Sequence, residues 1–274
     1  MITTRWIDVP ATAHGRAARL AVHVTGKPMG SAPLAVLIHG YPLDHRMWLD
    51  LLHGPLAQQR TLAAIDLRGH GSSPGSGDPV HTMELLASDV AAVIRSLADG
   101  AADVIGLSMG GYAAFALWAQ APWLVRSLVL ANTRAVADDE QARAGRDAAI
   151  ATVIAQGRRA IADAMIGKLL AKNADAALIA RVFTMVESLP VESIVADLRG
   201  LKARPDRQAL LKGITAPSLV IAGEHDPIAT PAESSAMAQA IPNARFAVLP
   251  GCAHLTPMEA PELFAGEVAR LWAH

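Results

Sequence analysis

Two hydrophobic rhythms alternate along the chain. Short, nearly continuous apolar runs occur at RLAVHV (19–24), LAVLIH (34–39), TLAAID (61–66), ADVIGL (102–107), RSLVLA (126–131), PSLVIAG (217–223) and RFAVLP (245–250). Runs of this length and continuity predict strands covered on both faces, as in a parallel sheet flanked by helices. Between them, apolar residues recur at helical spacing and predict helices over 45–58, 81–98, 109–120, 231–240 and 257–273. The first ten residues add an antiparallel edge strand. This alternation is the signature of an α/β domain with a mostly parallel sheet.

From about Arg134 to Arg204 the alternation stops. No strand pattern occurs there, only alanine-rich helical periodicity, with Leu178, Val182 and Met185 on one face and Val186 and Leu189 beside it. This predicts a core of residues 1–133 and 205–274 interrupted by a helical insertion over 134–204. Such an insertion at a strand end is either a set of packing helices or a lid, and the lid is the expected reading. Met165, Phe183 and Met185 are its candidate pocket-lining residues, with the core as their alternative place.

The 274 residues, 52% of them hydrophobic, are enough for a sizeable core. A net charge of −1 with 18% charged residues gives no bulk attraction to nucleic acid or anionic membranes. The single cysteine, Cys252, allows no intramolecular disulfide and reads as a buried, inert thiol. The N-terminus lacks the basic start and apolar run of a signal peptide, and the most apolar stretch, Tyr112–Val125, is too short to span a bilayer. The expectation is a cytoplasmic protein.

GLSMG (106–110) fits G-x-S-x-G and lies between a predicted strand and a predicted helix, the context this motif requires. An immediate strand-to-helix turn forces Ser108 into a strained conformation, and side chains at positions 106 and 110 would collide with neighbouring backbone. Gly111 lets the new helix lie close to the sheet. The Ser108 hydroxyl then projects near a helix N-terminus, where negative charge is favoured. Glycines serving only a tight turn are the alternative.

A serine hydroxyl needs a base, and the base needs an orienting carboxylate. Strand C-termini share one edge of a parallel sheet, and sites assemble there. His254, in GCAHLTPME after the last strand, lies on that edge in a loop long enough to reach inward. His39 reads as a packing or hydrogen-bonding residue and His70 as a turn residue. Asp226, in GEHDPI, is the candidate acid; Glu224 lies too close to the strand end, Asn132 fills the other acid position, Asp138 and Asp139 fall in the insertion, and Asp66 ties down its own turn. Met109 N–H and, from HGYP, Tyr41 N–H are the candidate oxyanion donors. The Tyr41 side chain either lines the acyl pocket or packs on the helix after it.

Together HGYPLDHRMW, DLRGHGSS, GLSMGGY, GEHDPIATP and PGCAHLTPMEAPELF resemble the α/β-hydrolase superfamily over nearly the whole chain. The order Ser108, Asp226, His254 is its nucleophile–acid–base order. In detail the chain is similar to small esterases, enol-lactonases and cofactor-free haloperoxidases (perhydrolases). The resemblance implies an eight-stranded, mostly parallel sheet, a cap formed by the insertion and no cofactor; the histidines are scattered, with no H-x-x-x-H or C-x-x-C, so no metal is expected. It implies hydrolysis of small to medium esters or lactones. Perhydrolysis by the same triad, or ligand binding without turnover, are the alternatives. The expected partner is a small-molecule ester or lactone, on a monomer or homodimer.

Overall fold

The computed structural model describes residues 1–273. Eight strands, β1 (Thr3–Val9), β2 (Ala18–Gly26), β3 (Leu34–Ile38), β4 (Thr61–Ile65), β5 (Ala102–Leu107), β6 (Val125–Ala131), β7 (Ser218–Gly223) and β8 (Ala244–Leu249), form one sheet in the order β1-β2-β4-β3-β5-β6-β7-β8. β2 is antiparallel to both β1 and β4; every other pairing is parallel. β3, β4 and β5 are buried along their whole length, which explains their unbroken apolar runs. At the far edge β8 leaves Phe246 and Val248 exposed.

The helices are α1 (Leu49–Leu52), α2 (Met83–Leu97), α3 (Met109–Gln120), α4 (Glu140–Gln156), α5 (Arg158–Leu169), α6 (Ala176–Ser188), α7 (Val191–Ala203), α8 (Gln208–Leu211), α9 (Pro231–Ala240), α10 (Thr256–Glu259) and α11 (Pro261–Trp272). Side-chain caps mark the starts of α2, α4, α6 and α9. Thr82 caps α2 through the Leu85 N–H, and Thr230 and Glu233 form a reciprocal capping box on α9. Two expected helices are broken. The segment 45–58 is α1 between two short 3-10 turns, because Pro55 forces Gly54 into an extended conformation. The segment 257–273 divides into α10 and α11 at Ala260, the residue before Pro261.

The insertion holds α4–α7, and α7 welds it to the core. Ser193, Ile194, Asp197, Leu198, Gly200 and Leu201 are all buried, whereas α4 buries only Val153. A Cβ at Gly200 would lie 1.8 Å from the His81 carbonyl oxygen, and one at Gly69 (φ 75°) would lie 2.1 Å from Ser193 Oγ. The fully buried Asp197 carboxylate accepts from His70 Nε2 (2.8 Å) and His81 Nδ1 (2.7 Å). His70 Nδ1 faces the Arg68 carbonyl at 3.0 Å, so both ring nitrogens meet acceptors and the ring is held as the imidazolium. Burial alone would lower the His70 pKa; the charge and hydrogen bond of Asp197, with the Arg68 carbonyl and the Asp66 charge, together outweigh it and raise the value, while the two histidines pull Asp197 well below the ordinary carboxylate range against its own burial.

Two outcomes follow. Gly200→Ala should cost about 2–3 kcal/mol, since the backbone it meets cannot give way, and a lowered Tm checks this. Asp197→Asn should cost about 3–5 kcal/mol near pH 6, because it strands a buried imidazolium. A raised His70 pKa contributes stability that is complete below about 6.5 and fades as pH rises through the folded value; the depressed Asp197 pKa costs stability only in strong acid. Tm measured from pH 5 to 9 should therefore fall on the alkaline side in the natural protein, and the gap to Asp197→Asn should narrow there.

Candidate active site

Ser108 sits between β5 and α3 with φ 54° and ψ −113°, a conformation that side chains other than glycine rarely adopt. The surrounding glycines make this turn possible. A Cβ at Gly106 would lie 2.4 Å from the Gly110 carbonyl oxygen, and one at Gly110 would lie 2.1 Å from that of Ile38. One at Gly111 would press on the Thr133 side chain at 2.6 Å. Ser108 N–H donates to the Ala131 carbonyl (2.9 Å), and its own carbonyl accepts from Gly111 N–H and Thr133 Oγ1, both at 2.9 Å. The backbone is thereby fixed, while the partly exposed Oγ has no protein partner among the described residues.

Asp226 and His254 meet on the same edge, past β7 and β8. His254 Nδ1 donates to Asp226 Oδ2 at 2.8 Å, with both side chains buried. Since an ionised carboxylate can only accept, the proton sits on Nδ1 and Nε2 is left as an acceptor. Asp226 Oδ1 accepts from the amides of Ile228 (2.8 Å) and Ala229 (3.1 Å). Burial pushes the Asp226 pKa up, but the bonds from His254, Asn132 and Ala229 overcome it and the net shift is downward.

The loop after β3 backs onto the serine: a Cβ at Gly40 would lie 3.3 Å from Ser108 Cβ. Next to it, Tyr41 N–H donates to no protein acceptor among the described residues, and neither does Met109 N–H at the start of α3. Three loops at this sheet edge thus present a partly exposed hydroxyl, two free amides and a carboxylate-oriented imidazole. That set can activate a hydroxyl and stabilise an oxyanion.

The sequence profile of the alpha/beta hydrolase fold family matches residues 33–261. The chain belongs to that family. It is 34% identical to a thermophilic esterase from Thermogutta terrifontis, with a TM-score of 0.90 over 99% of this chain and 98% of that one. It is 29% identical over 253 residues to 3-oxoadipate enol-lactonase 1 of Acinetobacter baylyi, covering 89% of this chain and 90% of that protein. A shorter match, 38% identical over 103 residues, to an esterase of Mycobacterium tuberculosis covers 38% of this chain and 34% of that protein.

The other candidates on this alpha/beta hydrolase edge have separate places. His39 Nε2 accepts from Leu67 N–H (3.1 Å) and Nδ1 faces the Gly40 carbonyl (3.0 Å), and burial pushes its pKa down to about 4. His70 is more than a turn residue, being the buried partner of Asp197. Glu224 is exposed and accepts from Gly251 N–H (2.8 Å), and His225 is exposed beside it. Cys252 is buried, and burial pushes its thiol up to about 11. The Tyr41 side chain is buried with its Oη unpartnered. Met185 is buried in the core cluster, Met165 packs half-buried against it, and Phe183 lies 4.4 Å beneath the Arg159 guanidinium.

One cluster has donors of the metal-ligating kind: His23, His45 and Asp66. Its geometry is structural. The two rings stack in parallel at 3.4 Å, so their lone pairs do not converge on one point, and each ring bonds a different oxygen of Asp66, at 3.0 and 2.8 Å. The amides of His45 and Ser72 fill the same oxygens. No helix among the described residues is long and apolar enough to cross a membrane.

Sequence reasoning passed over Asn132, which it read only as displacing a carboxylate. At φ 49° its Nδ2 donates to Asp226 Oδ2 (2.9 Å) and the Ala253 carbonyl (3.1 Å), and its Oδ1 accepts from Thr256 Oγ1 (2.6 Å). It joins the Asp226 and His254 loops. Its signal was its place at a strand C-terminus on the site edge. Asn132→Leu should raise the Asp226 pKa and cost about 1.5–3 kcal/mol at neutral pH. The cost should shrink only in acid, as pH falls below about 3.9 and through the depressed Asp226 value, where the carboxylate no longer needs the donor; thermal melts at pH 7 and stepwise down to about pH 2 check this.

Proposed function

We propose that the protein is a serine hydrolase of small to medium carboxylic esters or lactones that works through an acyl-enzyme on Ser108. The observation that carries this reading is the positive-φ Ser108 at the strand-to-helix turn, on the same edge as the His254–Asp226 pair. His254 Nε2 takes the Ser108 Oγ proton as Oγ attacks the carbonyl carbon. Asp226 holds the ring and stabilises the imidazolium that forms. The amides of Met109 and Tyr41 receive the charge that develops on the carbonyl oxygen. His254 then gives its proton to the leaving alkoxide, the alcohol departs, and water, activated by the same nitrogen, releases the acid and restores Ser108. In a lactone the freed hydroxyl stays on the acyl chain, and this second step releases a single hydroxy acid. Relatives named esterase and enol-lactonase support both bond types. Esters and lactones need less leaving-group assistance than amides.

Ser108→Ala or His254→Ala should lower kcat toward short activated esters by about 10⁵–10⁶-fold, with the double variant little worse, and Asp226→Asn should cost about 10⁴-fold. Mass spectrometry of quenched enzyme should find the acyl mass on the peptide containing 106–111. Peroxide added to the same assay separates hydrolysis from perhydrolysis: preferential peracid formation would replace this reading. A broad ester and lactone panel without turnover, together with a ligand-raised Tm, would leave a binding protein instead.

A further inference from the structure

The loop that carries His254 is not held by the core alone. The Leu169 carbonyl, at the C-terminus of α5 in the insertion, accepts from the amides of both His254 and Leu255, each at 3.1 Å. Glu259, in α10, closes the arrangement. Its Oε1 accepts from Ala171 N–H at 2.7 Å, and its Oε2 accepts from the amides of Ala253 (3.0 Å) and Leu255 (3.1 Å). The amides on both sides of His254, and its own, therefore all end on an insertion carbonyl or on a carboxylate that also grips the insertion. Elsewhere α5 packs chiefly on α4 and α6. Just beyond this junction the surface opens into a cleft of about 550 Å³ bordered by Leu170, Ala171, Lys172, His225 and Gly251.

We infer that Leu169–Ala171 and Glu259 form a strap that couples the seating of the helical insertion to the placement of His254, and that Glu259 is a positioning residue for the reaction. The inference rests on His254 being the base of the proposed mechanism. A carboxylate with no ion-pair partner is expensive to remove from water, and glutamine or leucine could fill the space at lower cost if packing were its only task. Three N–H donors on two oxygens, drawn from two chain segments far apart in sequence, fix where those segments meet. Burial pushes the Glu259 pKa up, while the amides and the nearby His254 oppose it. Its charge also favours the imidazolium that His254 becomes in proton transfer. Displacing residues 169–171 would remove the acceptor of the His254 amide and one donor of Glu259 together, so base geometry and insertion closure are one equilibrium.

The test compares the full-length natural protein with Glu259→Gln and Glu259→Ala. It uses p-nitrophenyl acetate turnover, the rate of Ser108 phosphonylation by a fluorophosphonate, and amide hydrogen exchange. Glu259→Gln keeps the shape but turns an amide NH2 group toward some of the N–H donors. It should lower kcat about 10–100-fold with KM changed less than about twofold, and phosphonylation should slow in parallel. Exchange at 169–171 and 253–255 should rise together, and Glu259→Ala should be worse in each readout. Turnover and phosphonylation equal to the natural protein in folded Glu259→Gln would overturn the inference. So would faster exchange in only one of the two segments, or a kcat loss that disappears on cooling to an equal margin below Tm. If Glu259→Ala does not fold, Glu259→Gln and exchange in the natural protein decide. Retained turnover in His254→Ala is a separate result: it removes the base assignment, and the strap's catalytic role with it.

Discussion

Helix α3 starts so close to β3 that a single methyl group at Gly110 would sit 2.1 Å from the Ile38 carbonyl oxygen. The site depends on this approach. It lets a helix begin immediately after β5 and leaves Ser108 at positive φ, a strain of about 1–3 kcal/mol that the surrounding structure must hold in place. The restraint comes from neighbouring chain: Ala131 at the end of β6 accepts the Ser108 amide, and Thr133 donates to its carbonyl. The glycines at 106 and 110 thus act through the sheet, by permitting the contact that the strain requires.

Around that turn, buried polar groups are sorted by which of their hydrogen-bonding positions remain unused. His39 has both ring nitrogens committed to backbone, and His70 has one on a backbone carbonyl and one on Asp197. His23 and His45 share Asp66. His254 is tied through Nδ1 alone, and its Nε2 stays available as an acceptor. Asp226 is saturated by four donors, so it orients the ring without taking its proton.

The insertion divides by its attachments. α7 is bound through backbone contact at Gly200 and the buried Asp197, whereas α4 is mostly exposed and α5 reaches the His254 loop through its last turn. The insertion and the His254 loop therefore meet at one short stretch of chain.

The strands, the strand-to-helix turn and the candidate site residues were legible because their signals are local. Apolar runs mark buried strands, glycine spacing marks a close turn, and Ser108, Asp226 and His254 each stand past a strand on one edge. The interruptions before Pro55 and Pro261 were local too, but helical periodicity masked them. Only the tertiary structure could assign Asn132, Glu259 and Asp197. Asp197 meets His70 across 127 positions and Asn132 meets Thr256 across 124. Which acceptor a buried donor finds is decided by how the layers pack, and no window of neighbouring residues carries that information.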